Sequence, residues 1–303
     1  MLTRVLETAL PVFTALFLGI LCRKKQMLTR SGVDALKKVA VDIALPAEIL
    51  MAFAGTKYTL AGMRIPLIMF AVCLAALFLG KLLRKALHIE STRMPYLMTG
   101  FEAGMMGYGL YALLHPDGMA DFAILDLGQV LFVFTVFKLS ISGKGKGNQI
   151  LKEAFSSPVL WAIIIGVILG ASGAFEALRP SGVSAVIESV ADFIAAPAGC
   201  LILLTVGYDL ELKGIHWNKV LTYTGLRVAI MAVLGGIVWL LDRAILGGTV
   251  QPGALILMMS LPAPFLIPVF ADVEGEKSDI ASTLSVMTLL CLAVFAVLAA
   301  VGL

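Results

Sequence analysis

Two short stretches of this 303-residue chain carry residues ill suited to an uninterrupted helix, although both lie in strongly apolar surroundings. The first, "MTGFEAGMMGYGLYALL", sets Gly100, Gly104, Gly107 and Gly109 around one carboxylate, Glu102. The second, "SLPAPFLIPVFADV", sets Pro262, Pro264 and Pro268 within seven residues. Each interior proline removes a backbone donor and crowds the carbonyl four residues earlier, at about 3 kcal/mol in a regular helix. Straight helices are therefore not expected at either place. Where a helix breaks and restarts, its amino end presents unpaired N–H groups to carboxylate or phosphate oxygens, and its carboxyl end presents carbonyls to cations. The chemistry expected is reversible binding of a small organic anion, with a coupling proton or sodium ion as second ligand. Gly100, Glu102, Gly104, Gly107, Pro262, Pro264 and Pro268 are the candidate substrate-binding residues. Glycine-rich membrane helices also serve as close-packing faces, and Gly104 taken alone fits that use well.

Glu102 is the coupling-ion candidate. An ionised carboxylate at the bilayer centre is costly unless paired, which makes such a group a functional-site candidate by default. Either it takes up a proton, removing its repulsion of an anionic substrate, or it helps to hold a cation. The competing reading displaces the span and leaves Glu102 in a wet funnel without a role. Asp42, Glu48 and Asp192 also fall in apolar stretches, where they pair with Lys37, Lys38 or Arg227, lie near a helix end or line the cavity, structural roles being favoured over transport roles. Arg227 has three open readings: pairing with Glu102, attracting an anion, or extending its guanidinium to the cytoplasmic interface. Asp209, Asp272, Glu274, Glu276 and Asp279 are expected to be solvated near cytoplasmic ends.

Other chemistries find little support. His88, His115 and His216 fall in connections, and Cys22, Cys73, Cys200 and Cys291 are far apart, so neither a metal centre nor a catalytic dyad is expected. No G-x-x-x-x-G-K-[ST] phosphate loop occurs. The run Gly143–Gly147 is basic and flexible but lacks the strand and helix that cradle phosphate. An enzyme, a resident cofactor and ATP-driven pumping are therefore not expected.

The elements that position the two stretches follow from composition. Hydrophobic residues make up 60% of the chain and charged residues 14%, and mean hydropathy is +0.98. Water-soluble, disordered and nucleic-acid-binding classes do not fit such a chain; a protein embedded in the lipid bilayer does. A membrane helix needs about 20 mainly apolar residues. Ten stretches qualify, at 5–22, 33–55, 65–87, 94–114, 120–140, 158–174, 182–206, 218–241, 252–271 and 279–302. Continuous apolar runs call for helices, because lipid offers no partner to an unpaired backbone group. Alternate connections carry 17 and 5 of the Lys and Arg residues. The positive-inside rule then puts the richer side in the cytoplasm and both termini on the non-cytoplasmic face of the cell membrane.

The long connection at 141–157, with Lys144, Lys146 and Lys152, divides the chain into 1–140 and 158–303, five spans each. An odd number per half inverts the second half, and residues match across it. Pro11-Val12, Ala15 and Gly19-Ile20 pair with Pro158-Val159, Ala162 and Gly166-Val167, and Asp42 with Pro46-Ala47 pairs with Asp192 and Pro197-Ala198. The expected fold is an all-α polytopic membrane protein, two inverted five-helix repeats whose interrupted fourth members are helices 4 and 9.

The runs "ALPVFTALFLGILCRKKQMLT", "AVDIALPAEILMAFA", "SSPVLWAIIIGVILG", "ADFIAAPAGCLILLTVGYDL" and "LPAPFLIPVFADVEGEKSDIASTLSVMTLL" resemble, in order, segments of the auxin efflux carrier family, which includes prokaryotic malonate and malate permease-like members. The resemblance implies a fold similar to that of bile acid symporters, with helices 4 and 9 crossing at their interruptions. It also implies a homodimer, a scaffold of helices 1, 2, 6 and 7, and elevator-type movement of helices 3–5 and 8–10. Members often carry Asn where this chain has Glu102, and Glu48 replaces an apolar residue. The function expected is secondary transport of carboxylates such as malonate, malate or auxin-like acids. The alternative is a membrane sensor of transporter fold that binds a small ligand without moving it.

Overall fold

In a computed structural model the described residues, 2–56, 58, 64–142, 156, 158–210, 215–265, 267 and 276–302, are helical or in short connections, with no strand among them. Pro268 and most of the 141–157 connection lie outside them. The helices are α1 (Leu2–Lys24), α2 (Arg30–Val39), α3 (Leu45–Ala54), α4 (Arg64–Ala86), α5 (Met94–Leu97), α6 (Tyr108–Leu114), α7 (Met119–Phe132), α8 (Lys138–Ser142), α9 (Pro158–Ser172), α10 (Val183–Ala195), α11 (Ala198–Asp209), α12 (Trp217–Leu241), α13 (Pro252–Ser260) and α14 (Lys277–Val301).

Among the described residues, five continuous helical stretches are long and apolar enough to cross a bilayer: Arg64–Ala86, Met119–Ile141, Val183–Asp209, Trp217–Leu246 and Ser278–Val301. Pro158–Ser172 with Ala174–Ser181, bent by 66°, makes a sixth. Many large apolar side chains stay exposed on these helices, among them Phe193 at 84% and Leu67 at 70%, an extent of outward apolar surface that suits lipid. The chain is a multi-pass helical membrane protein. The stretches beginning at Met94 and Pro252 are not single helices: the first is interrupted between Leu97 and Ala103, around Gly100, and the second leaves the helix after Ser260, where Pro262 and Pro264 follow.

Close backbone approach holds the helices together, as expected where lipid removes the hydrophobic drive between them. A Cβ built on Gly19 of α1 would stand 2.0 Å from the Leu204 carbonyl oxygen of α11, and one on Gly207 of α11 would stand 2.1 Å from that of Leu16. Gly128 of α7 meets the Pro66 carbonyl of α4 in the same way, at 2.0 Å. Gly166 of α9 packs on Leu50 and Phe53 of α3. Wide π-type turns at Ala40–Ala44, Ala103–Gly107, Val133–Phe137 and Asp242–Leu246 bend the chain; such turns concentrate at functional sites.

Candidate functional site

The first interruption begins where α5 ends at Leu97 and runs to Ala103. Gly100 has φ +68°, a left-handed conformation that glycine adopts at little cost, and a Cβ there would stand 2.8 Å from Pro264 Cγ. The second begins at Leu261, after α13. The two bind each other through main chain and side chain. The Glu102 N–H donates to the Pro262 carbonyl at 3.0 Å. The Phe265 N–H donates to Glu102 Oε2 at 2.5 Å. Glu102 is 7% exposed, so this carboxylate is held in the protein interior by a donor from the opposite interruption. Charge-assisted bonds of this kind are about twice as strong as neutral ones.

Arg227 of α12 enters the same region from the side. Its guanidinium is 3% exposed and donates to the carbonyls of Leu97 at 2.9 Å, Gly100 at 2.7 Å and Leu261 at 2.9 Å. It is buried with its donors on three main-chain carbonyls and does not extend to the protein surface, which corrects the reading of an outward-reaching side chain.

A cavity of about 960 Å³ opens beside the interruptions. One wall carries Glu102, Gly104, Pro264, Asp126 and Gln129 of α7, and Ser285 and Thr288 of α14. The apolar part of its wall includes Val41, Leu45, Ile49, Val159 and Val206. Arg30 and Lys37 of α2, Lys138 of α8 and Asp209 of α11 line it as well. Asp209 is not simply solvated there: Arg30 Nη1 approaches it at 2.5 Å, and Lys37 bonds its second oxygen.

On the polar wall the α7 pair forms a network. Tyr108 donates its hydroxyl to Asp126 Oδ2 at 3.0 Å, and Gln129 Nε2 donates to Asp126 Oδ1 and to the Phe101 carbonyl, both at 3.1 Å. Two acceptors on Nε2 fix the amide's orientation, which leaves Gln129 Oε1, buried and without a hydrogen-bond partner, as an acceptor. Sequence reasoning missed Asp126, Gln129 and Tyr108. The available signal was two polar residues at i and i+3 on one face of an apolar helix.

Of the sequence candidates, Glu102, Gly104 and Pro264 line the cavity. Gly100 and Pro262 act through their carbonyls, which accept from Arg227 and from the Glu102 N–H. Gly107 is a packing residue, since a Cβ there would meet Phe122 at 2.7 Å and Leu261 at 2.9 Å. Asp42 and Glu48 are half-buried and Asp192 is exposed, and none of the three lines the cavity. Asp279 is not free in solvent: it bonds His216 Nδ1 at 2.5 Å and Lys219 Nζ at 2.9 Å.

No family model matches the chain. It is similar to a protein of Methanothermobacter thermautotrophicus described as an uncharacterized transporter, with 24% identity over 290 residues covering 91% of each chain.

Proposed function

We propose that this protein is a secondary transporter that carries small organic anions, of the carboxylate class to which malonate, malate and auxin-like acids belong, with Glu102 as its proton-coupling group. The observation that carries this reading is the buried Glu102 carboxylate, which draws its donor from the opposite interruption and forms part of the cavity wall. An incoming substrate carboxylate competes for the Phe265 N–H. Glu102 must be protonated for two negative charges not to meet at that place, and this links one proton to one anion. Arg30 and Lys37 in the cavity lining supply the attraction for an anion. The whole-length likeness to a protein described as a transporter supports the same class.

The fold proposed is two inverted five-helix repeats, ten membrane helices in all. In support, α1 packs along α11 and α3 along α9, pairings that exchange with one another under such a repeat. The repeat-matched glycines Gly19 and Gly166 both admit a main-chain neighbour at these contacts. Movement is of the elevator type: the polar wall moves with the interruptions, α7 and α14, past the apolar wall of α3, α9 and α11. Gly109 of the moving part faces Gly199 of α11, where a Cβ would stand 3.5 Å from the Gly199 Cα, so the sliding surface is smooth there. The scaffold helices also carry the homodimer contact in this scheme.

Counterflow in proteoliposomes tests the function. Vesicles loaded with unlabelled malonate, malate, lactate or indole-acetate are expected to accumulate the labelled form of at least one, faster with acid outside. Saturable binding of these acids without exchange would identify a sensor instead. Neither binding nor exchange for any carboxylate would refute the anion reading.

A further inference from the structure

Backbone carbonyls released from helical pairing at membrane depth are a ready donor set for a hard cation. Three of them converge in this protein, and their partner is a side chain. The Leu97 carbonyl ends α5, that of Gly100 lies inside the first interruption, and that of Leu261 follows α13. All three accept from Arg227, one from Nη1 and two from Nη2. The guanidinium carbon lies 5.7 Å from the centre of the Phe101 ring. A guanidinium presents its donors in a fixed planar fork, so it can serve several carbonyls at once where an ammonium is a single point.

We propose that Arg227 is a tethered cation. It fills a carbonyl site that would otherwise take a dissolved monovalent metal ion, and it makes the crossing of the two interruptions independent of sodium. The occupancy of the site stands on the contacts above. Only its consequence, that transport needs no sodium, rests on the transport reading. Arg227 is in these terms a positioning residue, acting through main chain on Gly100 and Leu261 next to Glu102 and the cavity.

The test uses the whole protein in detergent and reads its thermal unfolding midpoint in sodium chloride against choline chloride at equal ionic strength. The wild-type midpoint is expected to be the same in both salts. Arg227→Ala is expected to lower the midpoint and to regain part of the loss with millimolar guanidinium or with sodium, but not with choline, since a ligand that binds only the folded state stabilises it by mass action. Arg227→Lys keeps a tethered charge and is expected to be lowered yet indifferent to sodium. Should Arg227→Ala not fold, the wild-type and lysine proteins still decide the matter. A wild-type midpoint that rises with sodium would overturn the proposal. So would an alanine variant that responds alike to guanidinium, sodium and choline, which would mean a purely structural side chain, or a lysine variant that gains sodium dependence. Failure of anion counterflow with these salt responses intact would refute the transport reading alone.

Discussion

Replacing Gly100 by alanine isolates the contact between the two interruptions. Two costs add. At φ +68° an L side chain sits in the left-handed region, at about 1–2 kcal/mol. The new Cβ also lands 2.8 Å from Cγ and 3.1 Å from Cδ of Pro264, a ring that cannot rotate away. Overpacking of this kind costs about 1–3 kcal/mol, for a total of about 2–5 kcal/mol. Gly182 supplies the control, because its φ is +76° and no atom lies within 4 Å of a Cβ built there. Gly182→Ala therefore carries the conformational cost alone, about 1–2 kcal/mol. Equilibrium unfolding by SDS in mixed micelles measures both. A Gly100→Ala loss no larger than that of Gly182→Ala would refute the packing of Gly100 on Pro264.

Gly207→Ala drives a methyl to 2.1 Å from the Leu16 carbonyl oxygen and should destabilise by about 3 kcal/mol or more; Gly236→Ala on α12, in open space, should be neutral or stabilising in the same assay. Asp209→Asn releases Arg30 and Lys37, yet both oxygens sit in a partly exposed place, so the loss should stay below about 1 kcal/mol and shrink as salt rises. Cysteines placed at Gly109 and Gly199 in a cysteine-free background should cross-link on oxidation, stop counterflow and release it on reduction. Normal counterflow by the cross-linked protein would exclude sliding at that surface.

Interruptions were legible where local chemistry dictates them. Pro262 and Pro264 withhold backbone donors whatever surrounds them, and the helices stop at Leu97 and Ser260, just before Gly100 and those two prolines, whereas Gly104, Gly107 and Gly109 lie in helical turns. Glu102 was legible as a carboxylate inside an apolar run. What could not be read were partners distant along the chain. Arg227 finds its carbonyls 34 to 130 residues away, so the sequence left pairing, anion attraction and escape to the interface equally open. Asp126 and Gln129 draw their meaning from Tyr108 and the Phe101 carbonyl, contacts that exist only once α7 lies beside the first interruption. Pro262 was singled out for its side chain but contributes through its carbonyl, an atom every residue has. Gly107 looked like part of a binding loop and is instead the space that Phe122 and Leu261 fill.

Proton movement accompanying net anion uptake tests the role of Glu102 most directly. With a pH-sensitive dye sealed inside proteoliposomes, wild-type protein should acidify the lumen as an outside carboxylate enters, one proton per anion. Glu102→Gln, a permanently neutral side chain of nearly the same shape, should still exchange labelled for unlabelled anion while that acidification disappears. Luminal acidification by the glutamine protein at the wild-type ratio of protons to anions would contradict the account.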